Sequence, residues 1–249
     1  MTFPDHTATL STGRRVALPL RCQASLAGAL FAADWQSLRR AVPDDLTPVR
    51  FGARTGGVVV AGVSYSKAGD FEPYDELAVI VPVARRTVGG VPLLDGGLGG
   101  YVLALPVTTE ESRRMGREIW GYPKTVADVE VRRDAAASTE SSTQVKASDT
   151  WHVELREDGE RALTLSVRGA KPHTRETTLD SYTRHEGRLW RTPVEILGPV
   201  GVGVGRGKVS LDVGTGRLAS RITRLGVGRP LGRFAGRIRA RVQAGSAVD

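Results

Sequence analysis

Cysteine is almost absent from this 249-residue chain, in which Cys22 stands alone. One cysteine excludes an internal disulfide framework, and this favours the reducing cytoplasm as the place where the protein works. The four histidines are scattered and lack the spacing of a metal site. A nucleophilic-serine motif is absent as well. The sequence therefore disfavours a disulfide-stabilised secreted protein, a metal-dependent enzyme with a ligand motif, and a serine hydrolase.

Long uninterrupted apolar runs are also missing. Residues 14–33 superficially resemble a signal peptide, but Arg21 and Gln23 interrupt the apolar run. We interpret 15–22 as a strand, expect no export, and find nothing that requires a membrane. The glycine-rich run at 201–208 resembles a phosphate-binding loop, but its glycine spacing is wrong and Val209 replaces the required serine or threonine.

Positive charge is concentrated at the C-terminal end. Residues 206–249 contain ten basic side chains against two acidic ones, so this segment carries the whole net charge of +8. We predict that 229–249 is a basic C-terminal helix or tail, whose apolar side docks on the body of the protein. Its apolar stripe is formed by Leu231, Phe234, Ile238 and Val242. The arginines on its other side either face solvent or bind an anionic partner such as acidic lipid, RNA or an acidic protein.

Segments of strand length, separated by turn residues, dominate the rest of the chain. We predict strands at 15–22, 58–65, 77–83, 101–107, 124–131, 151–155, 162–167, 188–196 and 208–213. Because no strand-helix unit repeats, the pattern indicates a barrel or a closed antiparallel sheet. The length fits a single domain covering 1–249, in which 133–148 is a surface loop.

Two short helices are predicted between these strands. Asp34 is an N-cap candidate for a helix that ends at Pro43. Thr108 and Glu111 form a capping-box pattern for a second helix that runs through Met115. This second helix would lie directly before the segment that carries the most informative chemistry.

That segment, GREIWGYPKT, fixes Lys124 behind a proline in an apolar, aromatic setting. Pro123 locks its own φ angle and pushes Tyr122 toward an extended conformation, so Lys124 begins or lies in a strand. On an inward face, burial would disfavour the ammonium form, and the neutral amine can attack a carbonyl. The alternative is a lysine whose stem is covered while its ammonium group stays in water.

The run GREIWGYPK resembles the active-site segment of the acetoacetate decarboxylase family, in which the lysine after Tyr-Pro or Phe-Pro forms a Schiff base with the substrate ketone. The resemblance implies that Lys124 is this lysine. The run Pro73-Tyr74-Asp75-Glu76 resembles the family's motif that ends in an active-site glutamate, which implies that Glu76 acts as acid or base. We predict that the residues around these two bind the substrate: Tyr74, Trp120, Tyr122, Arg117 and Glu118.

The resemblance covers most of residues 15–225 and carries further implications. It implies an α+β fold that is mainly antiparallel β, a closed barrel or cone with short flanking helices. It implies a homo-oligomer that acts on a small carbonyl substrate and needs no cofactor.

Three positions depart from the decarboxylases of this family. Thr125 stands where they carry a second lysine, Ala24 replaces an early-strand arginine, and Ala61 replaces a second glutamate. Acetoacetate decarboxylation needs a held substrate carboxylate, so these departures favour related imine chemistry on a 2-oxo or 3-oxo acid or ketone. The reaction would be of the aldolase, dehydratase or decarboxylase type. The alternative is a non-catalytic barrel that binds a small molecule.

Overall fold

Strands dominate the computed structural model, which describes residues 6–85, 87–88, 91–92, 98–134 and 145–248. Three short helices lie between them: α1 (Trp35–Ala41), α2 (Glu110–Trp120) and α3 (Arg217–Arg224). The strands are β1 (His6–Thr9), β2 (Arg15–Leu18), β3 (Leu20–Asp34), β4 (Thr47–Pro48), β5 (Thr55–Ala68), β6 (Tyr74–Ala84), β7 (Thr87–Val88), β8 (Val91–Pro92), β9 (Leu98–Val107), β10 (Lys124–Val126), β11 (Asp128–Asp134), β12 (Thr150–Glu157), β13 (Glu160–Arg168), β14 (Pro172–His185), β15 (Arg188–Val204), β16 (Val209–Val213), β17 (Pro230–Val242) and β18 (Ser246–Ala247).

Seven strands close into a barrel in the order β9, β14, β15, β17, β3, β5 and β6, and pairing between β6 and β9 completes the ring. Neighbouring strands are antiparallel except β9 and β14, which run parallel. The short strand β10 adds to the edge of β9 and runs parallel to it. This architecture confirms the predicted mainly antiparallel, closed barrel with short flanking helices.

A four-stranded antiparallel sheet, in the order β11, β12, β13 and β16, covers part of the outside of the barrel. Alternation along β6 sends Leu77 and Val79 outward, into the same buried cluster as Val153 and Leu163 of the small sheet. The two layers approach closely at Gly62 of β5, where an added Cβ would lie 2.5 Å from Cγ2 of Val153. The main hydrophobic core therefore lies between the barrel and the small sheet.

The inner face of the barrel carries the alternate residues of the same strands. Glu76 and Ala78 point inward because they alternate with the outward residues of β6. Gly28, Ala61 and Ala78 are directly opposite one another across β3, β5 and β6. Small apolar residues therefore form part of the inner wall next to Glu76.

Both helices that were predicted between the strands are present, although α2 begins later than predicted. Asp34 is the N-cap of α1, and its carboxylate accepts a hydrogen bond from the backbone N–H of Ser37 at 2.8 Å. The N-cap of α2 is Thr109, so the predicted capping box at Thr108 is wrong. The Thr108 hydroxyl instead accepts a hydrogen bond from the amide of Asp75, which ties it to β6. Among the described residues, no helix is long and apolar enough to cross a membrane.

The predicted C-terminal helix is wrong, because Pro230–Val242 forms strand β17 in the wall of the barrel. This strand is paired along both edges, with β15 and with β3, so its backbone hydrogen bonds go to neighbouring strands. The apolar residues fit a helical spacing, but several arginines also recur at the two-residue spacing of a strand. These outward-facing arginines are Arg233, Arg237, Arg239 and Arg241.

Two other regions differ from the prediction or extend it. The predicted surface loop at 133–148 begins later, since Arg133 and Asp134 belong to β11, and its part at 135–144 lies outside the described residues. Strand β14 and helix α3 were not predicted. The sequence of β14 is largely polar, and seven consecutive residues of this strand are exposed, so it shows no alternation between apolar and polar side chains.

We expect Gly62→Ala to destabilise the protein, because its new methyl group would overlap both methyl groups of Val153. Overpacking of this kind costs about 1–3 kcal/mol in free energy of unfolding. Gly232→Ala is the matched control, since an added Cβ there meets only Gly203 O, at 3.7 Å. Urea denaturation of the two variants measures the difference, and equal stabilities would contradict the described packing of the small sheet on the barrel.

Candidate functional site

Lys124 and Glu76 form an ion pair on the inner face of the barrel. Nζ of Lys124 lies 2.8 Å from Oε2 of Glu76, and the two side chains are only 4% and 7% exposed. Within the described part of the chain, no other ion pair has both side chains less than a tenth exposed. Burial of two charges costs free energy that their contact offsets only in part. Such a pair therefore indicates a functional site more than a device for stability.

The short connection between α2 and β10, which leads to Lys124, is fixed at both of its ends. Gly121 ends α2 in the left-handed conformation, with φ of 64°. Pro123 then leads into β10, in which Lys124 pairs with Leu105 of β9. The guanidinium of Arg117 donates a hydrogen bond to the carbonyl oxygen of Lys124 at 3.3 Å. The sequence GYPK thus stops a helix and starts a strand with the lysine side chain turned inward.

Helix α2 packs directly on the aliphatic stem of Lys124. A Cβ added at Gly116 would lie 2.5 Å from Cδ and 2.7 Å from Cε of the lysine. Only glycine leaves room for the stem at this position, so Gly116 helps to set where the amine lies. This assigns Gly116 a positioning role that its residue type and local spacing do not reveal.

Two tyrosines lie on the Glu76 side of the pair. The ring centre of Tyr74 is 5.0 Å from Nζ of Lys124, and this ring stacks on Tyr65 with a centroid separation of 4.7 Å. The structure thus brings the predicted residue Tyr74 to the amine. Tyr65 was not predicted as a site residue, although it ends the predicted strand at 58–65 and lies directly opposite Tyr74.

Desolvation controls the protonation of the neutral side chains around the pair. It raises the pKa of Tyr65 and Tyr74 well above the usual range, and the Glu76 charge raises both further. Burial also raises the pKa of the Cys22 thiol to about 12, while Lys124 acts in the opposite direction. At neutral pH the phenols therefore remain hydrogen-bond donors, and Cys22 remains a thiol rather than a nucleophilic thiolate.

Tyr122, another predicted residue, lies with Ala78, Val102 and Leu105 in an apolar cluster of the barrel. Its hydroxyl is 2.7 Å from the hydroxyl oxygen of Ser181. Burial raises the pKa of Tyr122 above its usual range. Tyr122 is therefore a neutral polar group in an otherwise apolar wall.

The other predicted substrate-binding residues hold the structure around the site. Trp120 is buried and donates its indole N–H to the carbonyl of Gln243 at 2.8 Å. Glu118 is exposed and accepts hydrogen bonds from the amide and hydroxyl of Ser11, both at 2.7 Å. With Arg117 on the backbone of Lys124, these contacts position α2. The structure does not bring the Glu118 carboxylate to the lysine amine.

The three departures from the family pattern lie in different environments. Thr125 is exposed, since alternation along β10 turns it away from the face that carries Lys124. Ala24 and Ala61 are buried, 5% exposed each, and lie on the inner wall. The side chain at 125 is therefore not part of the inner wall, whereas the two alanines make this wall apolar.

Solved structures with the same fold cover nearly the whole chain. The enduracididine biosynthesis enzyme MppR complexed with pyruvate matches with a TM-score of 0.73 and 14% identity, over 99% of this chain and 99% of that one. Acetoacetate decarboxylase from Legionella pneumophila subsp. pneumophila str. Philadelphia 1 matches with a TM-score of 0.68 and 16% identity, over 100% and 92% of the two chains. An acetoacetate decarboxylase-like enzyme from Sphingomonas wittichii RW1 matches with a TM-score of 0.66 and 14% identity, over 98% and 100%.

These identities are low, and the structural likeness by itself shows the fold. No curated protein matches the chain in sequence. The family model for acetoacetate decarboxylase, by contrast, matches residues 7–249. This range includes the barrel, the small sheet and both members of the buried ion pair. The chain therefore belongs to the acetoacetate decarboxylase family.

Proposed function

We propose that this protein is a lyase that forms a Schiff base between Lys124 and the ketone of a 2-oxo acid, a 3-oxo acid or a simple ketone. The observation that carries this proposal is the 2.8 Å contact between the lysine amine and the Glu76 carboxylate in the interior of the barrel. A lysine can act as a nucleophile only after it loses a proton, and a carboxylate at this distance can accept one.

In the proposed reaction, Glu76 takes a proton from the ammonium of Lys124, and the neutral amine adds to the substrate carbonyl. The resulting carbinolamine loses water, with Glu76 returning the proton to the leaving hydroxyl, and a protonated imine forms. A bond at the carbon next to the imine then breaks, its electron pair moves into the imine to give an enamine, and the other fragment leaves as a proton, carbon dioxide or an aldehyde. Protonation of the enamine carbon and addition of water release the product and regenerate the amine.

The inner wall favours aldol or dehydration chemistry over decarboxylation of acetoacetate. Ala24 and Ala61 provide neither a cation to hold a substrate carboxylate nor a second acid. The protonated phenols of Tyr65 and Tyr74 offer weaker hydrogen bonds to a carbonyl or a carboxylate. One structure of the related fold contains MppR with the condensation product of pyruvate and imidazole 4-carboxaldehyde, which supports a 2-oxo acid as substrate class.

A second candidate is a non-catalytic barrel that binds an apolar carbonyl compound. It is favoured by the apolar substitutions on the wall, and it predicts ligand binding that survives Lys124→Ala without turnover. The homo-oligomer and the cytoplasmic location stay predictions from the sequence and its resemblance to the family.

Borohydride reduction in the presence of pyruvate tests imine formation. We expect one covalent adduct on Lys124, located by peptide mass spectrometry, because borohydride converts the imine into a stable secondary amine. Lys124→Ala should abolish the adduct, and Lys208→Ala, which removes an exposed lysine, should leave it unchanged. If pyruvate and a panel of other 2-oxo acids, 3-oxo acids and ketones all leave Lys124 unmodified, the lyase proposal is wrong.

The variant Glu76→Gln removes the proton acceptor but keeps the size and shape of the side chain. The amide can still bind the lysine but cannot accept its proton, so we expect the rate of imine trapping to fall by about 10²-fold or more at neutral pH. The matched control is Glu130→Gln, which changes an exposed carboxylate on β11. Borohydride trapping under single-turnover conditions, with aliquots quenched at successive times, measures the trapping rates of the two variants. Trapping at the wild-type rate in Glu76→Gln would remove Glu76 from the mechanism.

Gly116→Ala tests the positioning of the amine by α2. The methyl group would displace the stem of Lys124, and a shift of about 1 Å can lower a rate by about 10²-fold. Alanine is also a better helix former than glycine by about 1 kcal/mol, which limits the loss of stability. We therefore expect slow trapping in a folded protein, as judged by circular dichroism. Gly232→Ala again serves as the control, and equal trapping rates in both variants would contradict the positioning role.

A further inference from the structure

A groove on the outer face of the barrel lies on the opposite side of the strands from the Lys124–Glu76 pair. It has a volume of about 440 Å³ and extends across β14, β15, β17, β3 and β5, which are consecutive neighbours in the sheet. We call it the basic groove, and the charged side chains that line it are Arg21, Lys67, Arg239, Arg241, Glu176 and Glu195.

The register of the strands arranges these charges in two rows. In one row, Lys67, Gln23 and Arg239 lie on adjacent strands, and the same row ends at Glu176 of β14. In the other row, Arg21 of β3 is directly opposite Arg241 of β17, and Arg241 is directly opposite Glu195 of β15. The cations therefore occupy the β5, β3 and β17 part of the groove, and the carboxylates occupy its β14 and β15 part.

Of the four cations in the basic groove, only Arg241 has an ion-pair partner among the described residues. Arg21 and Arg241 are like charges directly opposite on neighbouring strands, an arrangement that destabilises a sheet. Glu195 lies 3.5 Å from Arg241. Arg21, Lys67 and Arg239 make no side-chain hydrogen bond or ion pair with any residue that the structure describes. An anion bound between them would relieve the repulsion.

From this arrangement we infer that the basic groove binds a small molecule with a phosphoryl group at one end and hydroxyl or amino groups at the other. Guanidinium groups bind phosphoryl oxygens with paired, charge-assisted hydrogen bonds, and several cations around one point favour a dianion. Glu176 and Glu195 can accept hydrogen bonds from hydroxyl or amino groups at the far end.

Three features favour a small molecule over a nucleic acid. The volume is within the range of about 300–1,000 Å³ that small-molecule sites occupy. The carboxylates at the β14 and β15 end would repel a phosphate backbone that continued past the cations. Among the residues that the structure describes, no aromatic side chain lines the basic groove, so bases have no ring there to stack on.

Strand alternation separates the charged side chains of the groove from the lysine chemistry, although Cys22 and Ala240 also line the groove. Cys22 lies between Arg21 and Gln23 in β3, and its thiol points into the barrel, where the charges of Lys124 and Glu76 reach it. Ala240 lies between two groove arginines in β17 and joins the same interior cluster as Cys22. Ligand binding in the groove is therefore independent of the proposed reaction, and substitutions of the charged groove residues should leave imine trapping intact.

Isothermal titration calorimetry with pyrophosphate and ribose 5-phosphate tests the inference, at a constant ionic strength of about 0.15 M to control screening. We expect saturable binding of both to the wild type and no binding of ribose alone. The double variant Arg21→Ala/Arg239→Ala should lower the affinity for both ligands by at least about tenfold, since it removes two charge-assisted contacts. Arg206→Ala removes an exposed arginine outside the groove and should change neither affinity.

Glu176→Gln distinguishes the two ends of the ligand. This variant should weaken the binding of ribose 5-phosphate but not that of pyrophosphate, because only the sugar reaches the carboxylate end of the groove. The inference is overturned if the wild type shows no saturable binding up to millimolar pyrophosphate, or if the double variant binds as tightly as the wild type. The inference is also overturned if a single-stranded RNA oligomer binds more tightly than ribose 5-phosphate and the double variant loses this binding. That result would assign the basic groove to nucleic acid.

Discussion

The contact between Lys124 and Glu76 is the interaction on which the organisation of this end of the barrel depends. Two opposite charges in the interior stay there only if the surrounding elements hold both in place, since either one alone would be strongly disfavoured. Strand β6 supplies the carboxylate, β10 supplies the amine, and α2 packs glycine against the lysine stem. The burial that makes the pair costly also holds the amine in the interior, where the proposed reaction takes place.

Alternation along the barrel strands divides the protein into three environments. Inward residues of β6 and β3 surround the ion pair, and outward residues near Gly62 pack against the small sheet. Farther along the same strands, outward residues meet no covering layer within the described part of the chain, and they form the basic groove. One residue of shift in register would exchange these environments, so the long paired strands preserve both the reaction site and the charged outer surface.

The sequence was most informative where local chemistry is unusual. GYPK predicted that Lys124 starts a strand, and the family resemblance implied Glu76 as an acid or base. The two side chains lie together in the structure. It was least informative for β14 and β17. A polar strand has no apolar alternation to detect, and the apolar residues of β17 match a helix until its pairing with two neighbours is known.

The sequence by itself determined the strand-rich architecture and the concentration of positive charge near the C-terminus, because these depend on residue type and local spacing. Only the tertiary structure decided which side chains meet. It placed Thr125 outside, Ala24 and Ala61 on the inner wall, and Tyr65 against Tyr74. It also turned an apparent arginine-rich helix into a barrel wall, since hydrogen bonding between distant strands outweighs a local periodic pattern.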